Sequence, residues 1–234
     1  MNRTKLALAT VLSLAFTPLA AQNFDKGLAA ALAGDFVTAL QEWTPLAEAG
    51  GSDAQFNLGL MYNNGQGVLQ DYAEAVKWYR LAAEQEDARA QYNLGNFYYN
   101  GRGAPQDYAK ALKWFRLAAD QGLAVAQYNL GFTYHSGRGV PQDYAEAVKW
   151  YKLAAEQGVA NAQNNLGLMY DKGRGVPQDN VMAHMWYNIG AANGHDKAGE
   201  WRDDRAGLMT PADISKAQRI ARECMSSGYT KCGY

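Results

Sequence analysis

The chain has 234 residues, 48% of them hydrophobic, and a formal net charge of −1, with 22 Lys and Arg against 23 Asp and Glu. That balance gives no electrostatic pull toward nucleic acid or anionic lipid. The two cysteines, Cys224 and Cys232, lack a nearby histidine and cannot complete a four-coordinate zinc site.

The N-terminus reads as a processing segment. Arg3 and Lys5 precede a short apolar run, Leu6 to Phe16, then Pro18 as a helix stop and the small residues Ala20 and Ala21. This order predicts a signal peptide over 1–21, cleaved after Ala21 or, alternatively, after Ala20. The competing reading is a buried N-terminal helix. The run is shorter than the roughly 20 residues needed to span a bilayer. Removing 1–21 takes away two basic residues and no acid, which would leave the mature chain at −3. Such a chain is expected to be periplasmic or secreted, with no transmembrane segment.

Residues 22–53 read as an N-terminal capping hairpin. Phe24 to Ala33 forms a short helix, Gly34-Asp35 a tight loop, and Phe36 to Glu48 a second helix carrying Trp43. Pro45 is expected to kink or shorten that helix.

From residue 54 to 197 the sequence repeats every 36 residues without a gap. Trp78, Trp114, Trp150 and Trp186 share this step. So do Gly59, Gly95, Gly131 and Gly167, and the tyrosines 62, 98, 134 and 170. Self-similarity at one period outranks local signals. The units are 54–89, 90–125, 126–161 and 162–197. In each, an i, i+4 apolar stripe such as Ala90, Leu94 and Tyr98 marks a first helix. Its mid-helix glycine costs about 1 kcal/mol against alanine and is expected to admit a close partner helix. A Gly-x-Gly loop ends the first helix, because glycine permits positive φ. Asp71, Asp107, Asp143 and Asp179 cap a second helix, with capping-box spacing in Asp71-Glu74 and Asp143-Glu146. The large Trp beside small alanines is expected to fill the groove between helices. A hairpin of this kind cannot bury its apolar face alone, whereas a stack can.

Residues 198–234 read as C-terminal capping helices, over 196–206 and then from Thr210-Pro211-Ala212-Asp213 onward. Ile214, Ala217, Ile220, Ala221 and Cys224 form the apolar face of the last helix. Terminal units are expected to show a polar outer face. Cys224 and Cys232 read as a disulfide in an oxidising compartment, with two free thiols as the alternative.

Positions that vary while their surroundings repeat are the candidate specificity columns. One runs Leu60, Asn96, Phe132, Leu168; another runs Asn63, Tyr99, His135, Asp171; a third runs Asn64, Asn100, Ser136, Lys172. Their amide, aromatic and apolar mixture suits a protein or peptide partner. The loop arginines 102, 138 and 174 read as solvated, with an acidic partner or glycan as the alternative. No nucleophile elbow, Cys–His pair, metal-ligand histidine spacing or phosphate-binding Gly-x-x-x-x-Gly-Lys occurs. The reading is therefore non-enzymatic, without catalytic, cofactor or metal residues. His184 stands where other units have Val76, Leu112 and Val148, and reads as a structural histidine.

The strings Ala54-Gln55-Phe56-Asn57-Leu58-Gly59, Tyr62, Gly65-Gln66-Gly67, Gln70-Asp71-Tyr72-Ala73, Trp78-Tyr79, Ala82-Ala83 and Glu84-Gln85 resemble the Sel1-like repeat, a relative of the tetratricopeptide repeat. The resemblance implies an all-α, right-handed solenoid of antiparallel hairpins, a superhelix whose concave side is lined by the first helices and binds proteins or peptides. It implies an adaptor or scaffold. Alternatives are a periplasmic regulator of a sensor kinase and, less favoured, the β-lactam-binding or β-lactam-hydrolysing activity of cysteine-rich relatives, whose in-repeat cysteine pairs this chain lacks.

Overall fold

The computed structural model describes residues 18–233, so most of the expected signal segment lies outside the described residues. Twelve helices and no strand occur among them. The first pair is α1 (Pro18–Leu32) and α2 (Phe36–Glu48). Four hairpins follow: α3 (Ser52–Asn64) with α4 (Tyr72–Glu84), α5 (Ala88–Asn100) with α6 (Tyr108–Asp120), α7 (Ala124–Ser136) with α8 (Tyr144–Ala155), and α9 (Ala160–Lys172) with α10 (Asn180–Ala192). Helices α11 (Ala198–Ala206) and α12 (Pro211–Ser226) close the array, both packed on α10. Through α11 each helix packs on the one before and the one after it, the contact pattern of an α-solenoid.

The repeat explains its own hairpin. Asp71, Asp143 and Asp179 each accept two backbone N–H bonds from the first turn of the second helix; Asp107 accepts the bond of Lys110. Each first helix ends on a left-handed glycine, Gly65, Gly101, Gly137 or Gly173, with φ from 62° to 69°. The last carbonyls of those helices are orphans by geometry. The side-chain amides of Gln70, Gln106, Gln142 and Gln178 donate to the carbonyls of Asn63, Tyr99, His135 and Asp171 at 2.7–2.9 Å.

The second glycine of each loop serves the next contact along the array. A Cβ on Gly103 would lie 2.2 Å from the Tyr72 carbonyl oxygen, and one on Gly175 2.3 Å from that of Tyr144. Each loop therefore seats on the start of the second helix one unit earlier. A buried glutamine column adds a second tie between units. Gln55, Gln91, Gln127 and Gln163 donate to the carbonyls of Ala47, Ala83, Ala119 and Ala155. They accept from Gln85, Gln121, Gln157 and Asn193. Four buried amides are thus satisfied.

Several expectations need correction. The ring that fills the groove over the mid-helix glycine is the residue after the tryptophan. Tyr79, Phe115, Tyr151 and Tyr187 cover Gly59, Gly95, Gly131 and Gly167, where a Cβ would come within 2.6–2.8 Å of the ring. Trp43 belongs to the same column, 36 residues before Tyr79, and covers Gly27 of α1. Pro18 is the first described residue, so the helix stop expected there lies outside the described residues. Helix α2 runs through Pro45 to Glu48 at the same 13 residues as α4, α6 and α10, so it is not shortened. Leu28, Leu32 and Val37 of the N-terminal cap are exposed.

At the C-terminus the last helix spans Pro211–Ser226. Thr210 caps α12 by accepting from Asp213, and Ala217, Ala221 and Cys224 are buried. Cys224 and Cys232 are joined by a disulfide. His184 is 2% exposed inside the core.

Candidate functional site

The first helices present one continuous face, and the varying columns lie on it. Leu60, Asn63, Asn96, Tyr99, Phe132, His135 and Leu168 are half-buried there. Asn96, Tyr99 and Phe132 come together with Asn100, Phe115, Tyr128 and Asn129 around a cavity of about 230 Å³ between α5, α6 and α7. Phe115 is fully buried, and Tyr92 and Tyr99 pack against its ring at 6.1 and 6.3 Å between centroids. The Asn129 amide donates to the Asn96 amide oxygen at 3.3 Å. Whichever way the two amides are turned, that bond leaves one donor group and one acceptor for a ligand.

Arg138 reaches the pocket edge from its loop. It donates to the Tyr99 hydroxyl at 2.6 Å and stacks over the Tyr99 and Tyr108 rings at 5.7 and 5.9 Å. Arg102 and Arg174 stack in the same manner on Tyr72 and Tyr144. The loop arginines are therefore positioned by aromatic faces more than by carboxylates.

His135 lies one unit on from Tyr99. Its Nδ1 is 3.2 Å from the Tyr151 hydroxyl, and its ring meets Tyr144 edge-on at 5.5 Å. Burial lowers its pKa below 6.5, and the charge of Arg174 lowers it further. The ring is neutral at pH 7 and serves as a polar wall.

Asp171 departs from its expected role. It is 5% exposed, paired with Arg205 of α11 and with Lys172 at 3.0 Å. Arg205 also donates to Asn180 at 3.3 Å. The groove position is filled from the cap, so Asp171 is not available on the open face. Leu168 and Asp171 border a second cavity of about 320 Å³, closed in by Tyr187, Trp201, Asp204 and Arg205. Leu60 borders neither cavity, and Asn63 hydrogen-bonds Asn64 at 2.8 Å.

A focus on varying positions overlooks a constant one. Asn57, Asn93, Asn129 and Asn165 recur at the 36-residue step, all half-buried on the first helices. Asn165 contacts the phenols of both Tyr128 and Tyr151. A side-chain amide that returns each unit without any capping duty was the readable signal. Trp201 takes the next place in that register and packs on Tyr187 at 5.9 Å. The amide column thus ends where α11 begins.

Among the described residues, no three His, Cys, Asp or Glu side chains gather as a metal site, and no helix is long and apolar enough to cross a membrane.

Comparison with known proteins agrees with this geometry. The Sel1 repeat family profile matches residues 52–87, 88–123, 124–159 and 160–195. None of the curated proteins matches the chain. Among solved structures, a protective antigen of uropathogenic Escherichia coli with an SLR fold is 33% identical, with a TM-score of 0.78 over 92% of this chain and 50% of that one. A Sel1 repeat protein from Oxalobacter formigenes is 37% identical, with a TM-score of 0.70 over 79% of this chain and 55% of that one. A Klebsiella pneumoniae structure of the same kind, 24% identical with a TM-score of 0.51 over 82% of this chain and 97% of that one, shares the fold. This chain spans about half the length of the first two. Four abutting units, each a capped hairpin with the same glycine, amide and aromatic registers, place the chain in the Sel1 repeat family, to which it belongs.

Proposed function

We propose that the chain is a non-enzymatic protein-interaction scaffold of the bacterial envelope, periplasmic or secreted, that holds a protein segment along its first-helix face. Sel1 repeat proteins are generally protein-interaction scaffolds. The observation that carries the reading here is the column Asn57, Asn93, Asn129, Asn165 beside the pocket of Asn96, Tyr99 and Phe132. Amides at a fixed step meet the donors and acceptors of an extended backbone, while the varying neighbours meet its side chains. The envelope assignment rests on the Arg3 to Ala21 layout and on the Cys224–Cys232 pair, which suits an oxidising compartment.

Crosslinking in intact cells followed by mass spectrometry tests the reading. A single partner should be recovered with the wild-type chain and lost with Asn93→Ala/Asn129→Ala. Recovery unchanged by the double substitution would count against the face. N-terminal sequencing of the purified protein should begin at Gln22, and an intact Met1 would remove the envelope assignment.

A further inference from the structure

The four units are not equivalent at the ring that covers the mid-helix glycine. Three carry tyrosine there, at 79, 151 and 187, and the second carries Phe115. The hydroxyl has a place on the first-helix face. At Tyr151 it meets His135 Nδ1 at 3.2 Å and contacts Asn165. In the second unit the matching neighbours are Tyr99 and Asn129, each 36 residues earlier, and between them no phenol intervenes. There the space is a cavity with the buried Phe115 ring among its walls; the corresponding cavity of the fourth unit, bordered by Tyr187, is lined instead by the charged Asp171, Lys172, Asp204 and Arg205.

That cavity has a definite chemistry. Phe115, Tyr99, Tyr128 and Phe132 supply aromatic surface, and the amides of Asn96, Asn100 and Asn129 supply its polar atoms. No carboxylate lines it. The charge beside it is the exposed Arg138, held on Tyr99 and Tyr108 and without a carboxylate partner among the described residues. At about 230 Å³ it is smaller than the roughly 300–1,000 Å³ of small-molecule sites, so it fits one side chain and not a whole ligand.

We infer that this pocket is the anchor site of the scaffold: it takes one bulky apolar side chain, aromatic or leucine-like, from an extended peptide whose adjacent residue carries a carboxylate for Arg138. The inference rests on the proposed scaffold function and adds the class of segment it selects. The amide pair Asn96–Asn129 holds the backbone on either side of the anchor. Buried aromatic anchors dominate interfaces of this type, and an unpaired guanidinium at the rim selects the flanking charge.

The test uses a phage-displayed library of random dodecapeptides selected on the wild-type chain, with the best sequence resynthesised and its Kd measured by fluorescence anisotropy. Phe115→Tyr is the informative variant, because three other units carry tyrosine at this place and the fold should keep its Tm. The wild-type chain should enrich peptides with a bulky apolar residue next to Asp or Glu. Phe115→Tyr should weaken the selected peptide about tenfold or more by placing a hydroxyl against the apolar anchor. Arg138→Gln should remove the preference for the acid. An unchanged Kd with Phe115→Tyr overturns the anchor. If Asn93→Ala/Asn129→Ala still weakens that peptide, the scaffold reading survives without the anchor. No enrichment on the wild-type chain overturns both.

Discussion

The junction between the second and third hairpins and the junction between the fourth hairpin and the cap are built from the same registers. Both border a cavity, one lined by amides and rings, the other largely by charge. At the first, Phe115, Tyr99 and Asn129 surround a cavity between α5 and α7. At the second, the same registers are Tyr187, Asp171 and Trp201; the rings pack at 5.9 Å and the acid is held by Arg205. A one-atom difference at the ring, an acid for a phenol and an indole for an amide convert an apolar, amide-lined pocket into one walled by paired charges. In a repeat array, the identity of a few side chains decides where a partner can sit, while the backbone stays the same.

The largest expected effect is at the charged junction. Arg205→Ala leaves Asp171 buried beside a single lysine, and loss of one member of a buried pair costs about 3–5 kcal/mol, read here as a lower urea midpoint. Next come matched glycine substitutions. A Cβ on Gly167 meets the Tyr187 ring, on which Trp201 packs at 5.9 Å, and one on Gly95 meets the Phe115 ring, on which Tyr92 and Tyr99 pack at 6.1 and 6.3 Å. Both rings are buried, so Gly167→Ala and Gly95→Ala should each cost about 1–3 kcal/mol. A loss confined to one of the two in thermal unfolding would break the likeness of packing at the two junctions.

A smaller effect lies at the turn between units. Gly50, Gly122, Gly158 and Gly194 all have positive φ there, but the first unit has Glu86 at φ 66°. Glu86→Gly should stabilise by about 0.5–1 kcal/mol, the left-handed penalty less the entropy of glycine, and calorimetry would show the raised Tm.

The smallest is conditional on pH. His184 is buried with Nδ1 unbonded, and burial, then the charge of Arg202, lowers its pKa below 6.5. The unfolded chain therefore takes up more protons than the folded one once the pH falls through 6.5, and stability declines in that direction. His184→Val, which restores the residue of the first and third units, should flatten the fall in Tm between about pH 7.5 and pH 5. A variant that loses as much Tm as wild type would remove His184 from the acid response.

The hairpins, caps and repeat registers were legible in the sequence, because glycine, aspartate and alanine at fixed spacing have local consequences. The pocket was less so. Its apolar wall depends on the hydroxyl that Phe115 lacks, a change that looks conservative in a list of aromatics. Asp171 read as part of the groove because its partner, Arg205, comes from a helix outside the repeats. The tryptophans drew the role that their neighbours hold, since ring size alone does not say which of two adjacent aromatics points at the glycine.

The second glycine of each loop, resting on the helix start of the unit before it, carries a consequence for how such chains grow. Gly67, Gly103, Gly139 and Gly175 bind backward to Phe36, Tyr72, Tyr108 and Tyr144. Every 36-residue block thus brings both its own latch and the socket for its successor. Duplication or loss of a whole block preserves every joint, whereas a cut at any other length severs one. Evolution can therefore lengthen the array like a chain of links, adding a reading position each time without redesigning the ends.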